Sequence, residues 1–387
     1  MKRILLIILG LILYFVPIIS SVYAEDEESL NPPTINSEAA VVIDAKSGDI
    51  LFSKNSNQSM YPASITKIAT AIYAIEHGDL EEIVTVSKRA RNADGTRVYL
   101  EEGEMVPLKK LIQGMVINSG NDAAIAIAEH ISGSVEQFSK DINLYLKEKV
   151  GVQNTHFVNP SGLFDENHQT TAEDMAIITK YALNNEIFKE IFKTEELPWN
   201  GQSWNTTIYN HHKLLISDQF PEVTGGKTGY VDESGHTLVT TAEKDGLSII
   251  VVTLKANGSQ LAYQDTINLM NYCFSNFETD QIKQETEFEN AENEKFKVKE
   301  TIYFTKRIGE ETNPIIDKNG MLTITGERDR VIKTIPLKKV EEKLQTEKSE
   351  KKINQNGLSN HYSLLLLFSF LISFVLTGFF IMDARKL

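Results

Sequence analysis

The sequence predicts an α/β body, α+β in its layering: one antiparallel sheet flanked by helices. A small all-β segment and one C-terminal membrane-spanning helix are expected to follow it. Three observations lead there. Strand-like runs lie at both ends of residues 32–280, helical periodicity fills the middle, and residues 281–340 change to short β-rich stretches between turn signals.

The elements follow in order. Ala39–Asp44 and Ile50–Phe52 read as strands around Lys46-Ser47-Gly48-Asp49, a hairpin turn. Ser64–Glu76 reads as a helix, apolar at Ile65, Ile68, Ala69, Ile72 and Ile75. Leu108–Ile117 and Asp122–Ile131 are two more, parted by the Asn118–Asn121 turn. Thr171–Leu183 is a fourth, with Thr170 or Thr171 as N-cap and Glu173 and Asp174 where the helix dipole favours anions. Leu238–Thr241 and Ser248–Leu254 are rich in Val, Ile and Thr and read as strands. A helix over Gly258–Phe277 closes the body. Beyond it Phe296–Phe304 alternates, Met321–Ile324 and Val331–Ile335 are β-rich, and Asn313-Pro314 and Asn319-Gly320 are turn signals. Residues 341–361 are charged and polar, a linker of low order.

The two ends point to export. Lys2 and Arg3 precede an apolar run from Ile4 to Ile19, and Val22-Tyr23-Ala24 is followed by four acidic residues. This is the pattern of a signal peptide over residues 1–24, cleaved after Ala24. Ser363–Met382 is twenty residues without a charge, long enough to span about 30 Å of hydrocarbon, so 362–382 is expected as a membrane helix. Arg385 and Lys386 follow, which places 383–387 in the cytoplasm and the body outside.

Composition narrows the function classes. The 387 residues carry a formal charge of −14, with 41% hydrophobic and 24% charged residues. That is a globular balance, and an acidic total argues against nonspecific nucleic-acid binding. The single cysteine, Cys273, excludes an intramolecular disulfide and a Cys-based zinc site. Its apolar, helical setting reads as a buried, inert thiol.

Three short motifs could carry chemistry. Pro62-Ala63-Ser64-Ile65-Thr66-Lys67 contains S-x-x-K, which puts Ser64 and Lys67 on one helix face. A serine hydroxyl needs a base, and a desolvated lysine with a lowered pKa supplies one. Ser119-Gly120-Asn121 sits 55 residues on, in a tight turn that can aim a hydroxyl and an amide into a cleft. Lys227-Thr228-Gly229 leads β-rich sequence: a cation and a hydroxyl suit a carboxylate-ended ligand, and glycine lets a substrate backbone lie along a strand edge. Each motif alone is weak. Together, in this order, they match the S-x-x-K, S-D-N and K-T-G set of serine penicillin-recognising enzymes.

At this point the sequence resembles the serine-type D-alanyl-D-alanine carboxypeptidases, the low-molecular-mass penicillin-binding proteins of the peptidase S11 family. The likeness is carried by Tyr61–Ser64, Gly103-Glu104, Val116–Ala123, Phe157–Leu163, Thr171–Ala176 and Gly225–Tyr230, and it covers about residues 32–340. The middle triplet is S-G-N, as in these carboxypeptidases. The resemblance implies the β-lactamase/transpeptidase-like fold and a peptidoglycan stem peptide ending in D-Ala-D-Ala as substrate. It implies β-lactam antibiotics as covalent inhibitors, and it calls for no metal and no cofactor. Ser64 would be the acyl-ester nucleophile, Lys67 the base, Ser119 a proton relay to the leaving amine, and Asn121 a holder of the substrate backbone. Lys227 and Thr228 would grip the terminal carboxylate, with Gly229 beside them. The backbone N–H groups of Ser64 and Tyr230 would form the oxyanion hole.

One position departs from the family. Relatives often place an arginine beyond the strand that follows K-T-G, and here only Lys255 is near. A lysine is a point charge, not a fork.

Other residues read more plainly. His211 and His212 are adjacent and would point to opposite faces of a strand, which is poor for joint metal ligation. Trp199 and Trp204 flank Gly201 in an expected loop, and Asn159 and Gly162 serve a turn. Asp165 and Glu166 do not sit in the surroundings of a β-lactamase carboxylate. The rivals to a carboxypeptidase are a D,D-endopeptidase acting on cross-links and a sensor that binds penicillin or muropeptide without turnover.

Overall fold

A computed structural model describes residues 31–340. The expected signal peptide, charged linker, membrane helix and tail lie outside the described residues. Among the described residues no helix is long and apolar enough to cross a membrane.

Five antiparallel strands make the central sheet: β1 (Ala39–Asp44), β2 (Ile50–Lys54), β7 (Val223–Val231), β8 (Gly235–Lys244) and β9 (Leu247–Ala256), in the order β2-β1-β9-β8-β7. All six residues of β1 are buried, as expected for an inner strand covered on both faces. The expected β1–β2 hairpin and the expected strands β8 and β9 are present; β1 keeps its expected bounds, and the other three run longer than the sequence pattern marked. The glycines that open β7 hide it from a propensity reading, yet it forms an edge of the sheet.

Helices cover both faces. Seven of them precede β7: α1 (Lys67–His77), α2 (Lys88–Arg91), α3 (Leu108–Ile117), α4 (Asn121–Ser132), α5 (Val135–Tyr145), α6 (Ala172–Ala182) and α7 (Glu186–Phe192); α8 (Ser259–Asn276) follows β9, and a short antiparallel pair, β3 (Ile83–Thr85) and β4 (Met105–Pro107), flanks α2. Ile43, Val41, Ile250 and Val252 face the larger core with α1 and α3–α7. Val42, Val251 and Leu238 face a second core closed by Leu269, Met270 and Cys273 of α8. Cys273 is fully buried there, and burial pushes its thiol up, so it is inert. α1 is buried from Lys67 through Ile75, so it runs through the centre of the helical layer. Thr171 caps α6 by accepting from Asp174 N.

Several local expectations change. The helix expected from Ser64 begins as a 3₁₀ turn, Ala63–Thr66, and becomes α-helical only at Lys67. Trp199 is not in a loop: it lies in the hairpin β5 (Glu196–Asn200) and β6 (Asn205–Tyr209), fully buried against Gly114. His212 lies beyond β6, not in a strand, and its ring shares a hydrogen bond with Thr240 Oγ1.

The segment after α8 starts earlier than residue 281. β10 (Phe277–Ile282) pairs with β13 (Ile302–Arg307). Shorter strands β11 (Glu287–Glu289), β12 (Lys295–Lys297) and β17 (Lys338–Lys339) form one sheet, and β14 (Asn313–Ile316), β15 (Met321–Thr325) and β16 (Val331–Pro336) another. Asn313-Pro314 is therefore strand rather than turn, which proline tolerates because β14 is an edge. This segment is fastened to the body by a buried carboxylate. Asp44 Oδ2 accepts from Thr279 Oγ1 at 2.7 Å and Thr305 Oγ1 at 2.8 Å.

Candidate active site

Ser64 sits half-buried on the 3₁₀ turn, and Lys67 opens α1 one turn later. The turn is held open by Ala63 at φ 49°, a conformation uncommon for a residue with a side chain. Lys67 is fully buried. Its Nζ donates to Ser64 Oγ at 2.9 Å, to Asn121 Oδ1 at 2.7 Å and to Ser161 O at 2.6 Å. Burial, then the charge of Lys227, hold the Lys67 ammonium well below its usual range, while Asp122 opposes them. A nitrogen so placed, once neutral, is a base for the Ser64 hydroxyl.

The second motif is aimed by the α3–α4 turn. Ser119 adopts φ 61°, and Asn121 is the first residue of α4. Lys227, on the sheet edge, donates from Nζ to Ser119 Oγ at 2.9 Å and to Thr228 O at 3.0 Å. Burial lowers its pKa to about 7. Two buried lysines, two hydroxyls and one amide thus converge, drawn from the start of α1 and the turn before it, the α3–α4 turn and β7.

The contact of β7 with the Ser64 turn is intimate. A Cβ on Gly229 would lie 2.8 Å from Ser64 N and 3.0 Å from Pro62 O. Thr237 of the neighbouring strand donates to Pro62 O at 2.8 Å. Thr228 is half-buried beside the cleft, and the Tyr230 side chain is 56% exposed, with its hydroxyl donating to Asp232. Lys255 Nζ lies 3.1 Å from Glu38 Oε1, an exposed ion pair at the C-terminal end of β9.

Sequence reasoning named no role for Ser161 or Asp122 and gave Asn159 only a turn to serve, yet all three shape the site. Ser161 supplies a carbonyl to Lys67. Asn159 Oδ1 accepts from Ser161 N and Gly162 N and so holds that carbonyl's loop. Asp122 is buried and accepts from Val98 N and Leu100 N, which fixes the 94–100 loop; Asp94 O in turn accepts from Asn121 Nδ2 at 2.7 Å. Asp165 Oδ1 accepts from Asn167 N, and no described carboxylate contacts Ser64 or Lys67. The run Asn159–Leu163 stood out only as part of a family pattern, since a backbone carbonyl leaves no mark in a sequence.

The peptidase S11 sequence profile, described as D-alanyl-D-alanine carboxypeptidase, matches residues 26–258. The chain belongs to that family. It is 34% identical over 287 residues, 72% of each chain, to the D-alanyl-D-alanine carboxypeptidase DacF of Bacillus subtilis. It is 33% identical over 278 residues, 67% of each chain, to DacA of Haemophilus influenzae. Among solved structures it resembles penicillin binding protein 5 of Haemophilus influenzae, with a TM-score of 0.72 and 27% identity over 80% of this chain and 98% of the other. Penicillin binding protein 6B of Escherichia coli is similar, with a TM-score of 0.68 and 27% identity over 80% and 97%.

Proposed function

We propose that the protein is a serine-type D-Ala-D-Ala carboxypeptidase that removes the terminal D-alanine from peptidoglycan stem peptides through an acyl-enzyme on Ser64. The observation that carries the residue assignment is the buried Lys67 Nζ at 2.9 Å from Ser64 Oγ. Neutral Lys67 takes the Ser64 proton as Oγ attacks the carbonyl between the two D-alanines. Backbone N–H groups of Ser64 and Tyr230 receive the oxyanion; losing one such donor typically costs about 3–4 kcal/mol of barrier. Charged Lys227 and Thr228 hold the terminal carboxylate, Asn121 holds the substrate backbone, and Ser119 relays a proton to the leaving amine. Free D-alanine departs, and water cleaves the ester. A β-lactam presents the same carbonyl and carboxylate, so it acylates Ser64, and its tethered leaving group slows release.

The reading includes a place in the cell. The apolar runs at residues 4–19 and 363–382 and the basic pair Arg385 and Lys386 support export and anchoring on the outer face of the cytoplasmic membrane.

The deciding experiment is D-alanine release from a diacyl-L-Lys-D-Ala-D-Ala peptide, with Ser64→Ala and a penicillin-blocked sample as controls. Release that disappears in both controls is expected. Covalent penicillin uptake without release would instead favour the endopeptidase or the sensor.

A further inference from the structure

We propose that His168 is a positioning residue for acylation: its ring ties the 157–163 loop to the nucleophile turn through Thr66 and so orients the Ser64 N–H. The proposal rests on Ser64 being the acylated serine.

The His168 ring is buried and stacks on Phe157 with centroids 4.9 Å apart and planes 15° apart. Val158 N–H donates to His168 Nδ1 at 3.0 Å. A ring nitrogen that accepts carries no hydrogen, so in the neutral imidazole the hydrogen is on Nε2. Burial holds the ring's pKa down to about 3, against the opposing charge of Asp165, so the neutral form prevails near pH 7. Nε2–H therefore donates to Thr66 Oγ1 at 2.9 Å, and Thr66 directs its own hydrogen to Ala63 O at 2.8 Å.

Every step in this relay has one direction, and it ends on a particular peptide plane. Ala63 O belongs to the peptide group whose nitrogen is Ser64 N. The peptide is planar and trans, so fixing the carbonyl fixes the opposed N–H. Ala63 holds φ 49°, which costs energy and persists only where surrounding contacts dictate it. His168 and Thr66 are two such contacts; the backbone of Gly162, packed on Ala63, is a third. The loop that His168 anchors also presents Ser161 O to Lys67, so one anchor aligns both nucleophile and base.

The test is penicillin acylation by stopped flow, resolved into a saturation constant and a first-order acylation constant, with melting temperature beside it. His168→Phe keeps the stack and removes both ring hydrogen bonds. His168→Gln restores an N–H donor at similar reach. His168→Phe is expected to lower the first-order constant at least tenfold with the saturation constant little changed. His168→Gln should recover most of the loss, and Thr66→Val should reproduce it. The double variant His168→Phe/Thr66→Val should be no slower than either single variant. A folded His168→Phe with a first-order constant within tenfold of the unaltered protein overturns the proposal. Should that variant not fold, Thr66→Val decides by the same criterion. Peptide mass mapping of the penicillin label separately checks Ser64: a label elsewhere sinks the functional reading itself.

Discussion

Gly162 and Ala63 meet backbone to backbone: a Cβ on Gly162 would stand 1.9 Å from the Ala63 carbonyl oxygen. The loop that presents a carbonyl to Lys67 thus rests directly on the turn that presents Ser64. Gly162→Ala must push that turn aside and also strain φ 84°. We expect penicillin acylation to fall by about a hundredfold or more, in line with what roughly 1 Å misplacements of reacting groups cost. Gly133 has a similar φ of 79° with nothing within 4 Å. Gly133→Ala should cost about 1 kcal/mol of stability and leave acylation intact. Equal acylation by both variants would show that the loop does not set the nucleophile.

On the proposed mechanism, acylation needs Lys67 neutral and Lys227 charged. Its second-order rate should rise as Lys67 deprotonates and fall on an alkaline limb near pH 7, where burial places Lys227 in the free protein. A carboxylate in the cleft favours the ammonium, so the limb should move to higher pH at saturating penicillin. Rate profiles at low and saturating drug measure both. A low-drug profile flat from pH 7 to 9 would contradict the assignment.

The same lysine makes a stability prediction of definite sign. Lys227 binds its proton less tightly folded than unfolded, so the unfolded chain holds more protons between about pH 7 and the unfolded value near 10.4. Its burial penalty is full below that window and relieved as pH rises through it. Lys227→Met should remove this upward slope of unfolding free energy with pH, read by denaturant titration.

Removing the base has a kinetic signature of its own. Lys67→Ala should reduce acylation by about 10²–10⁴-fold, the usual worth of general base catalysis. It also strips Asn121 Oδ1 and Ser161 O of a shared buried donor, so the melting temperature should fall. An active Lys67→Ala protein would move the base to another group.

The β-rich segment depends on Asp44. Its carboxylate accepts from Lys46 N and Ser47 N within the hairpin and from Thr279 and Thr305 across the junction. Thr305→Val should cost about 1.5–3 kcal/mol by leaving a buried charge short of a donor. A chain ending at residue 280 should be destabilised for the same reason, yet its folded fraction should still take up penicillin on Ser64. A folded but unreactive truncation would give the segment a part in catalysis.

Much of this was legible in the residues. Periodicity marks α3, α4 and α6 because their buried faces repeat every three or four residues, and alternation or β-branching marks β1, β8 and β9. β7 was not legible as a strand, since Gly225, Gly226 and Gly229 have no side chains to show a pattern. The Trp199 hairpin was missed because its strands carry mixed polarity, and the hairpin is defined by packing on Gly114.

The sequence by itself determined the chemistry on offer: a serine three residues before a lysine, a second serine and amide, and a lysine–threonine–glycine edge, in that order along the chain. It also determined which segments alternate or repeat, because local backbone geometry reads side chains near in sequence. Only the tertiary structure decided that Lys67 and Lys227 are stripped of water and lowered in pKa, that Ser161 O accepts from Lys67, that His168 reaches the Ser64 turn through Thr66, and that Lys255 pairs with Glu38. Those facts depend on desolvation and on contacts between residues about a hundred positions apart, as Lys67 is from Ser161 and Thr66 from His168. Only packing brings such residues together.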